Sequence, residues 1–234
     1  KTIALIVLLL LPLTSSLAFD GVLISAAPEH PRSGERVTLT ASAIGVGSYR
    51  MYIWTVGGSE VMRRVDAKEF TITAPALGKK AEIGVTVTSG GKTIASGMYI
   101  LQPAEVAIEW EGSGGTPPFY TGRPLSTAHG AVRADAIAAF VTQDGAVVPK
   151  TQILYTWDVD GNRQDTLSGF GRSSVVVSPP FYDKPFALSV TATSRDGALV
   201  ASNTTILVPH APSLVIYETS PLGGLHDAHA IQGV

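Results

Sequence analysis

The sequence predicts an all-β protein in which two β-sandwich domains follow each other along the chain. Charged residues make up only 15% of the 234 residues, while 24 glycines and 15 prolines separate many short apolar runs. This composition is typical of short strands joined by turns. The chain has room for two domains of about 100 residues each. One order of segments also occurs twice, which predicts two copies of one domain.

Alternation of apolar and polar residues predicts the strands of the first half. In ERVTLTASA, the apolar residues Val37, Leu39 and Ala41 alternate with threonine and serine, which predicts one buried and one exposed face. Turn residues such as GGS and SGGK separate the segments. Further strands are predicted over residues 49–56, 69–75, 82–89 and 93–102.

The second half repeats this order. ILYTWDVDGN, at 153–162, corresponds to RMYIWTVGGS, at 50–59, so that each copy has a tyrosine and a tryptophan two residues apart. These four aromatic residues are Tyr52, Trp54, Tyr155 and Trp157. Residues two apart on a strand share a face. A sugar-binding platform would show this pattern, but we favour core residues because a β-sandwich packs a central tryptophan against its opposite sheet.

The repeats define the predicted domains. They are a signal peptide at 1–18, a first sandwich at 19–103, a second at 104–210 and a tail at 211–234. The junctions QPAE and VPHAPS are too short for free linkers, which predicts domains in a semi-rigid row. In the tail, LVIYE follows a proline as VAIEWE does earlier, so the tail either starts a third repeat or has another role.

The first residues predict export. Lys1 precedes an apolar run at 3–13, and small residues follow at Ser16 and Ala18, as in a secretory signal peptide cleaved after Ala18. The run is far shorter than the ~20 residues that span a bilayer, so membrane attachment would need a separate anchor. The chain has no cysteine, so each domain must be held by its hydrophobic core.

Two segments of the second half need a choice between interpretations. AHGAVRADAIAAFVTQDG, at 128–145, is rich in alanine, but we predict a strand because it occupies the position of SGERVTLTASA in the first repeat. Asn203 begins an Asn-Thr-Thr glycosylation pattern, which we interpret as part of a strand that faces solvent.

The repeated motif resembles a known family. YTWDVDGN resembles the Tyr-x-Trp signature, with its acidic or glycine turn, of PKD and related bacterial immunoglobulin-like domains, which occur in cell-surface proteins. The resemblance covers residues 20–209. WEGSGGTPPFYTGRPLS, together with the tail, is also similar to uncharacterised exported bacterial proteins with tandem sandwich domains. The resemblance implies immunoglobulin-like sandwiches and an extracellular location, and it implies no activity.

The segment DVDGNRQD resembles a calcium-binding loop in its first residues. Asp158, Asp160 and Asn162 alternate as in the start of an EF-hand loop, but Arg163 stands at the glycine position and Gly169 at the position of the bidentate glutamate. A hairpin turn formed by Asp-Gly is the favoured interpretation, and no metal site is predicted.

The two histidines of LHDAHA, His226 and His229, would share a face only if the tail were helical. No third ligand lies nearby in the sequence, whereas zinc sites use three or four. We therefore interpret this segment as a solvated tail.

No catalytic residues and no cofactor are predicted. No G-x-S-x-G elbow occurs, and no motif pairs a histidine with a nucleophile and an orienting acid. The net charge of −2 and the scattered basic residues exclude a phosphate-binding stripe, so nucleic acid is not an expected partner.

We therefore expect a non-enzymatic exported or cell-surface protein that acts as a spacer or adhesion module. Its partner would be a protein or a glycan. The longest irregular stretch, 112–129, is the candidate binding surface, with Phe119 and Tyr120 as its aromatic residues. Two alternatives are an accessory region of a secreted hydrolase and an assembly subunit that adds its C-terminal strand, SLVIYE, to a neighbour.

Overall fold

The computed structural model describes most of the chain after the predicted leader, which lies outside the described residues. The described residues are 21–43, 49–116, 120–122, 124–128, 130–180, 184–211, 215–220 and 224–232. Among them, no helix has the length and apolar character needed to cross a membrane. The helical structure in these residues is a single 3-10 turn, Lys150–Gln152.

The first sandwich has seven antiparallel strands in two sheets. The strands are β1 (Val22–Ala27), β2 (Arg36–Ala43), β3 (Met51–Val56), β4 (Ser59–Val65), β5 (Glu69–Thr73), β6 (Ala81–Ser89) and β7 (Lys92–Leu101). One sheet has the order β1-β2-β5 and the other β4-β3-β6-β7. Each strand that faces the core alternates buried and exposed side chains, as the sequence of β2 predicts.

The second sandwich repeats this topology. Its strands are β8 (Glu105–Gly112), β9 (Val132–Ala139), β10 (Ile153–Val159), β11 (Asn162–Arg163), β12 (Gly169–Phe170), β13 (Ser174–Val177), β14 (Phe186–Ser194) and β15 (Val200–Leu207). The sheets are β8-β9-β13 and β11-β10-β14-β15, and β12 also pairs with β10. The prediction of two tandem immunoglobulin-like sandwiches is confirmed. In both copies the fourth strand pairs with the third, whereas constant immunoglobulin domains place it in the other sheet.

Each sandwich has its own core, and the two cores share no residue. The repeated aromatic residues lie at the centre of these cores. Tyr52 and Trp54 are 2% and 0% exposed, and Tyr155 and Trp157 are 1% and 0% exposed. Both indole groups are also hydrogen-bonded, which satisfies the polar end of a large apolar side chain.

The predicted Asp-Gly hairpin is present between β10 and β11. Val159 pairs with Asn162, and the two turn residues, Asp160 and Gly161, have φ values of 49° and 75°. Positive φ at both central residues is the requirement of a type I′ turn, which matches the twist of the flanking strands.

The alanine-rich segment is strand β9, as predicted from its position in the repeat. Strand β4, in contrast, was absent from the predicted set of strands. Its side chains are almost all exposed, so its sequence SEVMRRV lacks the alternation that marks a strand with one buried face.

Asn203 does not face solvent, which corrects the sequence-based interpretation. Its side chain is half-buried in β15, and its Nδ2 donates a hydrogen bond to the carbonyl oxygen of Val106, 2.8 Å away in β8. This bond joins the edges of the two sheets of the second sandwich.

The tail forms a hairpin of two strands, β16 (Val215–Ser220) and β17 (Gly224–Gln232), which pair antiparallel to each other. His226 and His229 therefore lie in a strand, and the helical spacing on which a shared metal site depended is absent. Strand β16, which contains most of the segment SLVIYE, already pairs with β17 within the chain. Whether the hairpin begins a third repeat stays a prediction.

Candidate functional site

The predicted binding loop connects β8 to β9 and is anchored at both ends. The amide of Gly112 donates to the carbonyl of Pro124 at 3.0 Å, and the amide of Ser113 donates to the carbonyl of Ala131 at 2.9 Å. A side chain at Gly112 would collide with the carbonyl of Leu125, so this close approach requires glycine.

The two aromatic residues proposed for this loop are described unequally. Phe119 lies outside the described residues. Tyr120 is 40% exposed and is therefore available to a partner. The role of Tyr120 as a binding residue stays a prediction.

The acidic turn after β10 makes structural contacts. The Oδ1 of Asp160 accepts a hydrogen bond from the amide of Ala187 at 2.8 Å, which fastens the turn to β14. Asn162 donates from its side-chain amide to the backbone carbonyl of Asp160 at 3.3 Å, and Asp158 lies within β10. Across the described parts of the chain, no three histidine, aspartate or glutamate residues converge in a way that could hold a metal ion.

The two sandwiches meet at a short, buried junction. Gln102, Pro103 and Ala104 alone separate β7 from β8, and Pro103 and Ala104 are buried. Glu105 accepts a hydrogen bond through its Oε1 from the amide of Ser33 in the first sandwich, at 3.1 Å. The junction is therefore fixed by burial and by a charge-assisted hydrogen bond.

A second contact supports the junction at the loop between β5 and β6. A Cβ atom at Gly78 would lie 2.8 Å from Cγ1 of Val141 in the second sandwich, closer than such atoms approach. Gly78 also has a φ of 75°, in the region that favours glycine. The first sandwich thus packs directly against the loop between β9 and β10.

Beside this junction lies a cleft of about 410 Å³, which we call the junction cleft. Four segments that are distant in sequence form it: the β1–β2 loop, the end of β7, the β9–β10 loop and the start of β15 with its preceding loop. Its lining residues are Glu29, His30, Pro31, Tyr99, Ile100, Leu101, Gln102, Gln143, Ala198 and Val200.

The polar groups of the junction cleft are of several kinds. The two glutamines, Gln102 and Gln143, each provide a donor and an acceptor, Glu29 provides a carboxylate and Tyr99 provides a hydroxyl group. The pKa of Tyr99 is raised above its ordinary value, mainly because burial disfavours the phenolate and also because Glu29 is negatively charged. Tyr99 therefore keeps its proton at neutral pH and can donate a hydrogen bond.

Internal hydrogen bonds hold the two loops that the second sandwich contributes. In the β14–β15 loop, Asp196 accepts from the Ser194 hydroxyl at 2.6 Å and from the Ala198 amide at 3.1 Å. These bonds lower the pKa of Asp196, the Ser194 bond contributing most. In the β9–β10 loop, the Thr142 hydroxyl donates to Asp144 and lowers the pKa of that carboxyl group. This wall of the cleft is thus preformed.

A second groove lies on the outer face of the sheet β8-β9-β13 and is also about 410 Å³ in volume. Its lining includes Glu109, Glu111, Arg133 and Asp135. Glu109 and Asp135 are directly opposite each other, an unfavourable pairing of like charges, and Arg133 forms an exposed ion pair with Asp135 at 3.3 Å. The described residues of this groove carry more negative than positive charge, and they include no buried polar group that would fix a ligand.

Sequence reasoning missed the junction cleft because no local motif marks it. Its polar residues are ordinary loop and strand-end residues, and they come together only through the packing of one sandwich against the next. The short QPAE junction was the available signal, since two domains joined so closely must form an interface. The orientation of that interface cannot be derived from strand patterns.

Comparison with known proteins gives alignments to solved structures at low sequence identity. No family model matches the chain, and a search of curated proteins finds no match. Fibronectin(III)-like modules of CbhA from Clostridium thermocellum align with a TM-score of 0.36 and 12% identity, over 81% of this chain and 95% of that one.

Two further solved structures align with lower scores. The central fibronectin-III array of RIM-binding protein has a TM-score of 0.29 and 10% identity, over 86% of this chain and 74% of that one. Three N-terminal domains of the outer capsid protein Hoc of bacteriophage RB49 have a TM-score of 0.30 and 17% identity, over 85% of this chain and 60% of that one. These neighbours are tandem modules, and the assignment of the fold itself rests on the strand order described above.

Proposed function

We propose that this chain is a non-enzymatic exported module whose two sandwiches form a semi-rigid spacer and binding unit at the cell surface. The observation that carries the proposal is the buried junction, in which three residues separate β7 from β8 and Glu105 holds the Ser33 amide. A flexible tether would instead expose a longer polar linker. A partner, either a protein or a glycan, would be reached through the loops between strands.

Export is the second part of the proposal and depends on the leader at 1–18. In a bacterial host that expresses the chain with its leader, we expect cleavage after Ala18, so that the mature protein begins at Phe19. Mass spectrometry of the secreted or surface fraction gives this end directly. A full-length chain that remains inside the cell would contradict export.

The strand-donation alternative is less well supported because β16 already pairs with β17 in the same chain. A role as an accessory region of a hydrolase would use the same two sandwiches. No observation on the described residues favours that role over a spacer. The spacer therefore remains the proposal to test.

A distance measurement tests the stiffness of the junction. The chain has no cysteine, so Arg64→Cys and Ser202→Cys place two spin labels at exposed strand positions, one in each sandwich. We expect a narrow distribution of label distances by pulsed electron paramagnetic resonance. As a control, insertion of Gly-Ser-Gly-Ser between Gln102 and Pro103 should broaden it. If the label distances in the native chain were distributed as broadly as in the insertion variant, the proposal of a semi-rigid spacer would be overturned.

A further inference from the structure

The junction cleft contains polar side chains that the protein itself leaves uncommitted. Within the described residues, no side-chain hydrogen bond engages Glu29, His30, Tyr99, Gln102 or Gln143. Elsewhere in the chain a comparable amide, that of Gln164, does bond to a backbone carbonyl at 2.9 Å. Several free polar groups that converge on one cleft at a domain interface are the usual composition of a ligand site.

The charge of the cleft selects against anionic ligands. Among the described residues, the lining contains one carboxylate, that of Glu29, and no lysine or arginine. Phosphate and carboxylate ligands are bound by arginine, lysine or clustered backbone amides, and the described part of the lining includes neither arginine nor lysine. A neutral ligand is therefore favoured over a nucleotide or an acidic peptide.

The uncharged side chains of the cleft fit a ligand that carries many hydroxyl groups. The amides of Gln102 and Gln143 can each donate to one hydroxyl and accept from another. Buried Pro31 and Leu101 provide an apolar floor, and the half-buried ring of Tyr99 provides an aromatic surface. Sugars present both kinds of surface, hydroxyl groups at the ring edge and C–H groups on its face.

We propose that the junction cleft binds a neutral oligosaccharide of two or three sugar units. The volume of about 410 Å³ lies within the range of small-molecule sites. The loop hydrogen bonds of Thr142, Ser194 and Asp196 hold one wall in place, which lowers the entropic cost of binding. The biological role of such binding rests on the proposed function, since it makes the spacer itself part of the glycan contact.

An NMR titration tests this site on the protein from residue 19 to 234, the expected mature chain. The probes are cellobiose, maltose, lactose and N,N′-diacetylchitobiose, each up to about 10 mM, a range that detects weak binding. We expect at least one of them to shift the amide signals of residues 99–102, 143 and 198–200 in a saturable way. Absence of shifts in these residues with all four sugars would overturn the proposal.

Variants separate specific binding from general effects. Gln143 is exposed on its loop, so Gln143→Ala should fold normally, and Tyr99→Phe removes only a hydroxyl group. We expect each to weaken binding by about tenfold, equivalent to one lost hydrogen bond. The control Val176→Ala, at an exposed position of β13 outside the cleft, should bind as the native chain does. Equal binding by the native chain and both cleft variants would overturn the assignment.

Two further outcomes would also decide against the proposal. Tighter binding of the anionic 3′-sialyllactose than of any neutral disaccharide would contradict the charge argument. Saturable shifts with a neutral Gly-Ser peptide, and none with sugars, would assign the cleft to a polypeptide. Because label distances are measured without ligand, a narrow distribution combined with no sugar binding leaves the spacer intact and removes only this inference.

Discussion

Trp54 and Trp157 occupy equivalent positions and make equivalent contacts in the two sandwiches. Nε1 of Trp54 donates to the carbonyl of Ala67 at 3.0 Å, and Nε1 of Trp157 donates to the carbonyl of Arg172 at 2.9 Å. Each acceptor lies just before the strand that completes the other sheet, β5 or β13. The indole thus joins the two sheets by packing and by a directed hydrogen bond, which explains why each repeat carries a tryptophan.

Replacement of this indole has a predictable cost. Trp157→Phe removes the donor, leaves the Arg172 carbonyl without its partner and creates a small cavity. We expect the free energy of unfolding to fall by about 2–3 kcal/mol. Urea denaturation followed by circular dichroism measures the change.

The matched control is Trp110→Phe in the same sandwich. Trp110 is only half-buried in β8 and packs against the edge of the core. Its replacement should cost less than about 1 kcal/mol, because phenylalanine at a partly exposed position loses less buried area than at the centre of the core. If the two variants lost the same free energy of unfolding, the hydrogen bond and the central position of the Trp157 indole would not be what stabilises the second sandwich.

The edge where the two sheets meet is closed differently in the two copies. In the first sandwich Gly97 of β7 pairs with Val85, and in the second Asn203 of β15 pairs with Val190, so the two residues are equivalent. A side chain at Gly97 would collide with the carbonyl oxygen of Val22. In the second copy this close approach is replaced by the hydrogen bond from Asn203 to Val106.

Gly97→Ala should therefore destabilise the first sandwich. The added methyl group must displace the backbone of β1, and overpacking of this kind costs about 1–3 kcal/mol. The control is Gly115→Ala, where an added Cβ meets nothing within 4 Å; it should change stability by less than about 0.5 kcal/mol. Thermal unfolding of both variants gives the comparison, and equal midpoints would show that β1 can move away without cost.

The strands that were predictable are those with one buried face. In β2 the buried residues alternate with polar ones, and in β9 the repeat identified a strand that alanine propensity alone would have assigned to a helix. Strand β4 was not predictable, because backbone pairing with β3 holds it in place. Almost all of its side chains are exposed, so its sequence shows no alternation of apolar and polar residues. The junction cleft was not predictable because Tyr99 and Gln143 meet only after both sandwiches have folded and packed.

The whole molecule consists of two separate cores joined by a narrow contact. One core includes Trp54 and the other Trp157, and they share no residue. The contact between the sandwiches includes the Glu105–Ser33 hydrogen bond and the packing of Gly78 against Val141. Such a contact can fix an orientation without contributing much of the free energy that folds either domain.

This arrangement predicts that a core mutation destabilises one sandwich alone. In the full chain, Trp157→Phe should reduce hydrogen-exchange protection in β9, β10 and β14, and leave protection in β2, β3 and β6 within about 0.5 kcal/mol of the native values. Trp54→Phe should give the reverse pattern. Exchange measured by mass spectrometry resolves these segments. A parallel loss of protection in both sandwiches would mean that the junction couples their folding, and the chain would then behave as one cooperative unit instead of two domains held in a fixed orientation.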